Sequence, residues 1–453
     1  MLTNNDQNEI ARIGSWRSFK NWPWVGLVLV CCVAKPCLAS AQEKSIKRQT
    51  VDELIRLLDA PTLSERSQAE RRLLDLGPAA LPMLPSPELI ESVSARESVR
   101  RIRPQLERRA ARESSRASVV ALTGDFPIDH LLQEVQKQTG NQVTLEPLPG
   151  DSRPKIVHVK WTRTTFWESL DDLCQQGNLR WHFVENSPVI HVNVAPAASP
   201  RPLAVQRTGP FRLAIEEVER RPIVGEQQQQ LVRVRGRLSI EPRLRPLFLS
   251  TAAADLTAMA NENRPLSAWN PDARYEHPVG DGSRDIRLQW DFSLSEPIVI
   301  NEIAIRGRIY CQIAASTERI VFDQTSMTRG TVRRRGGVAV RLKDVTMESI
   351  ESGGLNAEIG VSVSYDTGGP AFESHRTWIF HNAVYLETKG GVKTSFTNFE
   401  TTQQSDGAVG VTYFWPKLAE PRDQYRFVYE APTLIINVPV EIDLSKIPVT
   451  DSK

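Results

Sequence analysis

In the C-terminal half of the chain, apolar residues repeat at every second position, and this period constrains the fold more than any other feature. Between residues 232 and 240 the apolar residues alternate mainly with arginines, and residues 288–292, 359–365 and 434–442 repeat the alternation. Such a pattern predicts strands that bury one face and expose the other to water. Because turn residues separate the strands, we expect antiparallel β-sandwiches.

This β-rich half is about 240 residues long, which is more than one ordinary sandwich needs. We therefore predict two sandwiches, over residues 209–312 and 318–448. Pro439 lies in the last predicted strand and places it at a sheet edge, because proline lacks the N–H that a ladder hydrogen bond requires. The proline-containing stretch at residues 195–208 predicts an extended linker before the first sandwich.

Residues 117–194 carry a mixed pattern of strands and helices. A first helix ends at Gly140, and a second begins with the capping box Thr165–Glu168 and ends at Gly177. The apolar residues of each helix share one face. These residues are Ile128, Leu131, Leu132 and Val135 in the first helix, and Trp167, Leu170, Leu173 and Cys174 in the second. With strands around them, the helices predict a βαββαβ module with both helices on one face of a small sheet.

The order of these elements resembles the secretin and TonB short N-terminal (STN) domain over residues 117–194. The resemblance implies a small α+β module that makes protein contacts in the bacterial envelope. Three histidines, His158, His182 and His191, lie on its strands, which could bring two of them together. Their spacing is not typical of a metal site, so we interpret them as ordinary strand residues.

Residues 50–112 are rich in helix signals. We expect helices to begin near Thr50, Ser64 and Ser94, where the first and last have a glutamate three residues further on. Pro104 is expected to kink or restart the last helix, because it removes one hydrogen bond of the helical ladder.

The run from Ala69 to Leu84 is similar to a HEAT-type repeat. The resemblance implies a helical protein-contact surface, and an alternative is that these helices pack on the central module. One or two repeats are too few for a long solenoid.

Residues 1–41 have the features of a secretory signal. Basic residues precede an apolar run at residues 22–34, and small residues then lead to a cleavage site between Ala41 and Gln42. We expect an exported protein of the periplasm or cell envelope, and an uncleaved N-terminal anchor is the alternative. After the signal, no apolar run reaches the roughly 20 residues of a transmembrane helix.

Charge and cysteine content narrow the classes of partner. The chain has 56 basic and 54 acidic residues, a balance that offers no bulk attraction to a polyanion, so we expect no nucleic-acid partner. After signal removal, Cys174 and Cys311 remain in different predicted modules, and a disulfide between them is not expected.

The adjacent arginines Arg333, Arg334 and Arg335 are one candidate contact site. They are followed by two glycines, a sequence that predicts a hairpin tip. Three neighbouring guanidinium groups could hold a phosphate or a carboxylate. A solvated turn is the alternative interpretation, and we favour it.

A second candidate lies in residues 250–285, a stretch poor in strand signals that contains Trp269, Tyr275 and His277. Long loops on rigid sandwiches often bind ligands, so these three residues are candidate ligand or partner contacts. The alternative is a helix inserted at residues 252–261 with Trp269 packed as a structural residue.

A third candidate is an aromatic strand face. Tyr425, Phe427 and Tyr429 alternate along one predicted strand and lie close in sequence to Tyr413 and Trp415. Exposed aromatic faces could stack on sugars. Packing between two sheets is the interpretation we favour.

No sequence motif of catalysis is present, among them G-x-S-x-G, H-E-x-x-H, the phosphate-binding loop and the dinucleotide fingerprint. We therefore predict a secreted, non-enzymatic envelope protein that acts as a protein-interaction or scaffold module, with no cofactor or metal. The alternative is a carbohydrate-binding or carbohydrate-processing protein that uses the β-sandwich half.

Overall fold

The computed structural model describes most of the chain after residue 47. The described residues are 48–147, 155–185, 187–196, 201–223, 226–261, 263–280, 282–295, 298–351, 353–365, 379–380, 382–405 and 408–451. The expected signal segment, with Ala41 and Gln42, lies outside them.

Three α-helices form the helical segment, residues 48–114. They are α1 Arg48–Leu57, α2 Leu63–Leu76 and α3 Val93–Ser114, with two short 3₁₀ turns, Pro78–Met83 and Pro87–Leu89, between α2 and α3. The caps of α2 and α3 are Thr62 and Ser92, and not Ser64 and Ser94 as we expected. A cap residue needs extended backbone just before the first turn, whereas Ser64 and Ser94 are already helical. α3 continues through Pro104, so the helix does not restart there.

Five strands and two helices make up the central module, residues 119–194. In chain order they are β1 Val119–Pro127, α4 Ile128–Thr139, β2 Val143–Leu145, β3 Ile156–Thr165, α5 Phe166–Gly177, β4 Leu179–Phe183 and β5 Ile190–Val194. The capping box Thr165–Glu168 is present, and Asn178 takes the left-handed cap that we assigned to Gly177. Every apolar helix residue used in the prediction is buried.

The single sheet expected for this module is wrong, because its strands form two sheets. Among the described strands β1 pairs with β3 alone, and the three-residue β2 pairs with β5, which also pairs with β4. Each helix contacts a strand of both sheets: α4 contacts β1 and β2, and α5 contacts β3 and β4. The two helices thus share one core with both sheets.

The described residues of the β-rich half, residues 204–451, form eighteen strands. The first nine are β6 Ala204–Thr208, β7 Phe211–Ile223, β8 Glu226–Ile240, β9 Arg245–Ala252, β10 Leu256–Ala260, β11 Arg264–Ala268, β12 Arg274–Pro278, β13 Asp285–Leu294 and β14 Glu302–Phe322. The others are β15 Val332–Arg335, β16 Val338–Ser349, β17 Leu355–Tyr365, β18 Ala383–Thr388, β19 Lys393–Ser395, β20 Asn398–Ser405, β21 Ala408–Leu418, β22 Tyr425–Pro448 and β23 Thr450–Asp451.

The all-β character expected for this half is confirmed. A thirteen-stranded sheet has the order β19-β18-β22-β14-β10-β11-β13-β8-β7-β23, with β6 beside β7 and with β9 joining β12 to β14. A second sheet has the order β15-β16-β17-β21-β20. Near Pro439, β22 pairs with β14 alone among the described strands, which is the edge position expected for that proline.

The long strands β14 and β22 run through two apolar cores. β14 contributes Ile303 to Ile313 to the first core and Ile320 and Phe322 to the second. The boundary that we expected between residues 312 and 318 therefore falls inside a continuous strand. The expected linker also differs, because its end forms β6 and pairs with β7.

A buried polar cluster joins the central module to the β-rich half. Glu241 is 0% exposed and accepts hydrogen bonds from the backbone N and Oγ of Ser118, from Asn141 Nδ2 at 3.3 Å and from Arg243 Nε at 2.6 Å. Arg243 also donates to two backbone carbonyls at the end of the helical segment and just beyond it. This cluster fixes three parts of the chain to one another.

Residues 250–285 contain three short strands, so neither the long loop nor the inserted helix that we expected is correct. At residues 252–261 the described chain forms a short 3₁₀ turn, Ala253–Asp255, followed by β10, and no α-helix. Leu256, Ala258 and Ala260 alternate and face the first core. Alanine favours helices in isolation, but pairing with β14 and β11 decides the structure.

Candidate functional site

Trp269, Tyr275 and His277 lie around two adjoining cavities beside β13. The smaller cavity, which we call the slot, has a volume of about 30 Å³ and is lined by Trp269, Tyr275 and Asp291, among others. The larger cavity, which we call the groove, has a volume of about 430 Å³. It is lined by Glu216, Arg235, Gly236, Tyr275, His277, Arg287, Leu288, Gln289 and Asp291. Tyr275 and Asp291 line both cavities, so slot and groove are adjacent.

β12 places Tyr275 and His277 on the same side of the groove. The strand pairs antiparallel with β9, with Tyr275 opposite Thr251 and His277 opposite Leu249. Residues two apart on a strand point to the same face. The two rings accordingly stack, with centroids 6.5 Å apart and planes inclined by 17°. Tyr275 remains 50% exposed.

Trp269 follows β11 and has a fixed backbone with an accessible ring. Its backbone N donates to the carbonyl oxygen of Asp291 at 2.9 Å, which holds it beside β13. The residue is 51% exposed, whereas Trp290, which also lines the slot, is 6% exposed and belongs to the first core. Trp269 is therefore not the packed structural residue of our alternative interpretation.

β13 supplies the polar side chains of the groove. Leu288, Trp290 and Phe292 are buried, and Arg287, Gln289 and Asp291 alternate with them on the outer face. The alternation predicted from sequence is confirmed. We did not single out these polar residues as candidates, although the wet face of the pattern marks them.

Two carboxylates of the groove are engaged by arginines. Glu216 Oε1 accepts from Arg237 Nε at 2.8 Å. Asp291 receives two parallel hydrogen bonds of 2.8 Å from Arg233, a bidentate geometry that is strong and well oriented.

The two arginines of the groove differ in their partners. Arg235 forms an ion pair with Glu217 and lies 3.4 Å from Glu219 Oε2. Arg287 is exposed and forms no hydrogen bond or ion pair with any other residue that the structure describes. Arg287 is therefore the arginine of the groove that has no ion-pair partner among the described residues.

His277 faces the groove as a neutral imidazole near pH 7. Burial lowers the pKa of His277 from its ordinary value of 6.5, because a charged ring loses hydration there. A neutral imidazole offers one donor and one acceptor, which suits hydroxyl groups.

Arg333, Arg334 and Arg335 lie on β15, and their hairpin with β16 is confirmed. The turn consists of Gly336 and Gly337, with φ of 55° and 78°. Successive side chains of a strand point to opposite sides, so the three guanidinium groups do not converge on one anion. Arg333 lies over the ring of Phe322, with its Cζ 5.8 Å from the centroid.

The aromatic strand face is part of the second core, as we expected. Its members, Tyr413, Trp415, Tyr425, Phe427 and Tyr429, are all buried. Trp415 and Phe427 pack edge to face, with ring centroids 6.1 Å apart. These rings are not available to a sugar.

Two of the three histidines of the central module come together. His182 and His191 face each other on β4 and β5, and each lies about 3.5 Å from Glu146 Oε1. His158 contacts Asp125 instead. Within the described ranges, no group of three or more His, Cys, Asp or Glu residues has the arrangement of a metal site.

Cys174 and Cys311 are both buried and free. Burial raises the pKa of each thiol to about 12, so neither is a nucleophile at neutral pH. Among the described helices, none has the length and apolar character needed to cross a bilayer.

Comparisons with known proteins add little. No family model matches the sequence, and no curated protein matches it. A solved structure named pT26-6p aligns with 55% of this chain at 8% identity and a TM-score of 0.16, and the match spans just under two thirds of that protein, 65%. A similarity of this size carries no argument about fold or function.

Proposed function

We propose that this chain is an exported, non-enzymatic binding protein of the bacterial envelope, and that its β-rich half binds a saccharide across the groove and the slot. One observation carries the proposal: two half-exposed aromatic rings, Trp269 and Tyr275, line adjacent cavities, one of which is lined mainly by polar side chains. Aromatic faces contact the C–H faces of sugar rings, and neighbouring polar groups hydrogen bond to the hydroxyls.

The dimensions and chemistry of the groove support this proposal. Its volume of about 430 Å³ lies within the roughly 300–1,000 Å³ of small-molecule sites. Gln289 and His277 offer both donors and acceptors, and Arg235 offers donors. The slot has room for about one water molecule, so a sugar would lie over Trp269 and not enter beneath it.

The carboxylates of the groove support binding over glycoside hydrolysis. Hydrolysis uses two carboxyl groups, one of which must donate a proton to the glycosidic oxygen. Glu216 and Asp291 are the carboxylates that line the groove, and each holds an arginine in an ion pair. Neither is free to reach a glycosidic bond without breaking that pair.

A glycan array tests the saccharide proposal. We expect saturable binding of at least one glycan by the wild-type protein and a loss of affinity of about tenfold or more in Trp269→Ala. Leu89→Ala, at another exposed apolar residue far from β13 in sequence, is the control and should bind normally. The absence of saturable binding, or equal binding by Trp269→Ala, would contradict the proposal.

A second candidate function is protein contact through the helical segment. Leu89 and Val93 are 79% and 69% exposed and lie close together around the start of α3. Neighbouring exposed apolar residues are typical of interaction surfaces. The HEAT-like and STN-like resemblances and the buried cluster at Glu241 support a rigid scaffold of this kind.

Cross-linking in envelope extracts tests this second function. We expect a specific cross-linked partner for the wild type and its loss in the double variant Leu89→Ser with Val93→Ser. Trp269→Ala should keep the partner, because it alters the other candidate site. If the double variant keeps the partner, this surface is not the contact.

A further inference from the structure

Arg287 of the groove has no ion-pair partner among the described residues, and its neighbours show why. On the outer faces of β8 and β13, Arg233, Arg235 and Arg237 each hold a carboxylate. Arg287 is directly opposite Arg237 in the pairing of β13 with β8. Since Arg237 already binds two carboxylates, those acids do not serve Arg287.

Every acid that the structure places beside these arginines is already engaged. Glu216 and Asp285 bind Arg237, and Asp291 binds Arg233. Glu217 and Glu219 bind Arg235. Within the described residues these three arginines thus engage all five acids, and Arg287, which lines the groove, has no ion-pair partner.

We propose that the site selects an acidic saccharide, and that Arg287 binds the carboxylate or sulfate group of that ligand. This inference rests on the proposed saccharide-binding function and specifies its ligand class. The planar guanidinium offers paired donors that match either anion in a bidentate arrangement. An exposed arginine that has no internal ion pair has none to break on binding.

The arrangement along β13 sets the size of the ligand. Asp291, which holds the backbone of Trp269, is four residues from Arg287. At a rise of about 3.3 Å per residue, the two positions are roughly 13 Å apart along the strand. Tyr275 lines both cavities and lies at their junction. The ligand is therefore a short oligosaccharide, with one sugar over the aromatic rings and the acidic group of the ligand at Arg287.

Isothermal titration calorimetry with matched probes tests this inference. The probes are a galacturonic acid tetrasaccharide, the same tetrasaccharide with methyl-esterified carboxyls, and a neutral tetrasaccharide with and without sulfate groups. We expect the acidic form of at least one pair to bind at least about tenfold more tightly than its neutral counterpart, because the neutral form lacks the charged group that hydrogen bonds to Arg287. The preference should weaken as salt rises.

The variant Arg287→Gln should lose this preference and bind the acidic and neutral forms equally. Arg341→Gln is the matched control, because Arg341 is an exposed arginine on β16, a strand of the five-stranded sheet. It should keep the wild-type preference. The pair that shows the preference identifies carboxylate or sulfate as the group bound.

Three outcomes overturn the inference, and the first two separate it from the saccharide proposal. If the neutral forms bind as tightly as the acidic forms and Trp269→Ala weakens both, the site binds saccharides without selecting an acid. If Arg287→Gln keeps the preference, another group selects the acid. If no probe and no glycan of the array binds, the saccharide proposal fails and this inference fails with it.

Discussion

Removal of the Glu241 carboxylate is the substitution from which we expect the largest loss of stability. Glu241 is completely buried and accepts hydrogen bonds from Ser118, Asn141 and Arg243. Asn141 is also 0% exposed. In Glu241→Ala, water cannot easily replace the lost acceptor, and the guanidinium of Arg243 loses its only carboxylate in the cluster.

The magnitude follows from the number and kind of lost contacts. Breaking a buried ion pair by removing one partner costs about 3–5 kcal/mol, because the other charge stays buried. Arg243 is partly exposed, with 20% of its side chain accessible, so the lower end of that range applies to the pair. The donors of Ser118 and Asn141 each add a desolvation cost of about 1–3 kcal/mol. We expect a total loss of about 5–9 kcal/mol.

Urea unfolding of the wild type, Glu241→Ala and Glu241→Gln measures this loss. Tryptophan fluorescence is a suitable signal, because Trp167 is buried in the central module and its Nε1 donates to Pro210 O across the same junction. Glu241→Gln keeps the shape and part of the bonding, so it should lose less stability than Glu241→Ala. Glu358→Ala, at an exposed glutamate of β17, should lose less than about 0.5 kcal/mol. A loss below about 1 kcal/mol in Glu241→Ala would refute the role assigned to this cluster.

Other predictions concern single residues. Leu132→Asp should destabilise the central module by several kcal/mol in a thermal melting experiment, since Leu132 is 3% exposed. Gln133→Asp, at an exposed residue of the same helix, should leave the melting temperature nearly unchanged. Cys174 and Cys311 should resist thiol reagents at pH 8 in the native protein and react after denaturation, and fast native labelling would contradict their burial. Because the pKa of His277 is lowered by folding, its contribution to stability is present above about pH 6.5 and is lost as pH falls. His277→Gln should therefore lose less stability than the wild type when the pH falls from 7 to 5, and an equal loss in the two proteins would contradict this.

Local patterns predicted the elements of this chain better than its pairing. The helix faces of α4 and α5 were correct because they depend on residues three and four apart. The single sheet was wrong because sheet membership depends on which distant strand accepts each backbone group. Caps such as Thr62 were missed by two residues, because a cap depends on the backbone angles of one position.

The candidate site was predictable in part for the same reason. Trp269, Tyr275 and His277 stood out as aromatic and titratable residues in a stretch with few strand signals. The strands around these residues were not predictable, because β10, β11 and β12 are five-residue strands that form by pairing with distant partner strands. Arg287 was visible as part of a wet face, but its lack of a partner follows only from the register of β13 on β8.

NMR of the tryptophan indole N–H groups tests directly whether a saccharide binds over Trp269. The protein carries ¹⁵N-labelled tryptophan, Trp269→Phe assigns the resonance of Trp269, and the titrant is the tightest-binding saccharide of the array. We expect the Trp269 resonance to shift saturably while that of Trp415, buried in the second core, stays unchanged. A saccharide that binds at saturation without moving the Trp269 resonance would contradict it.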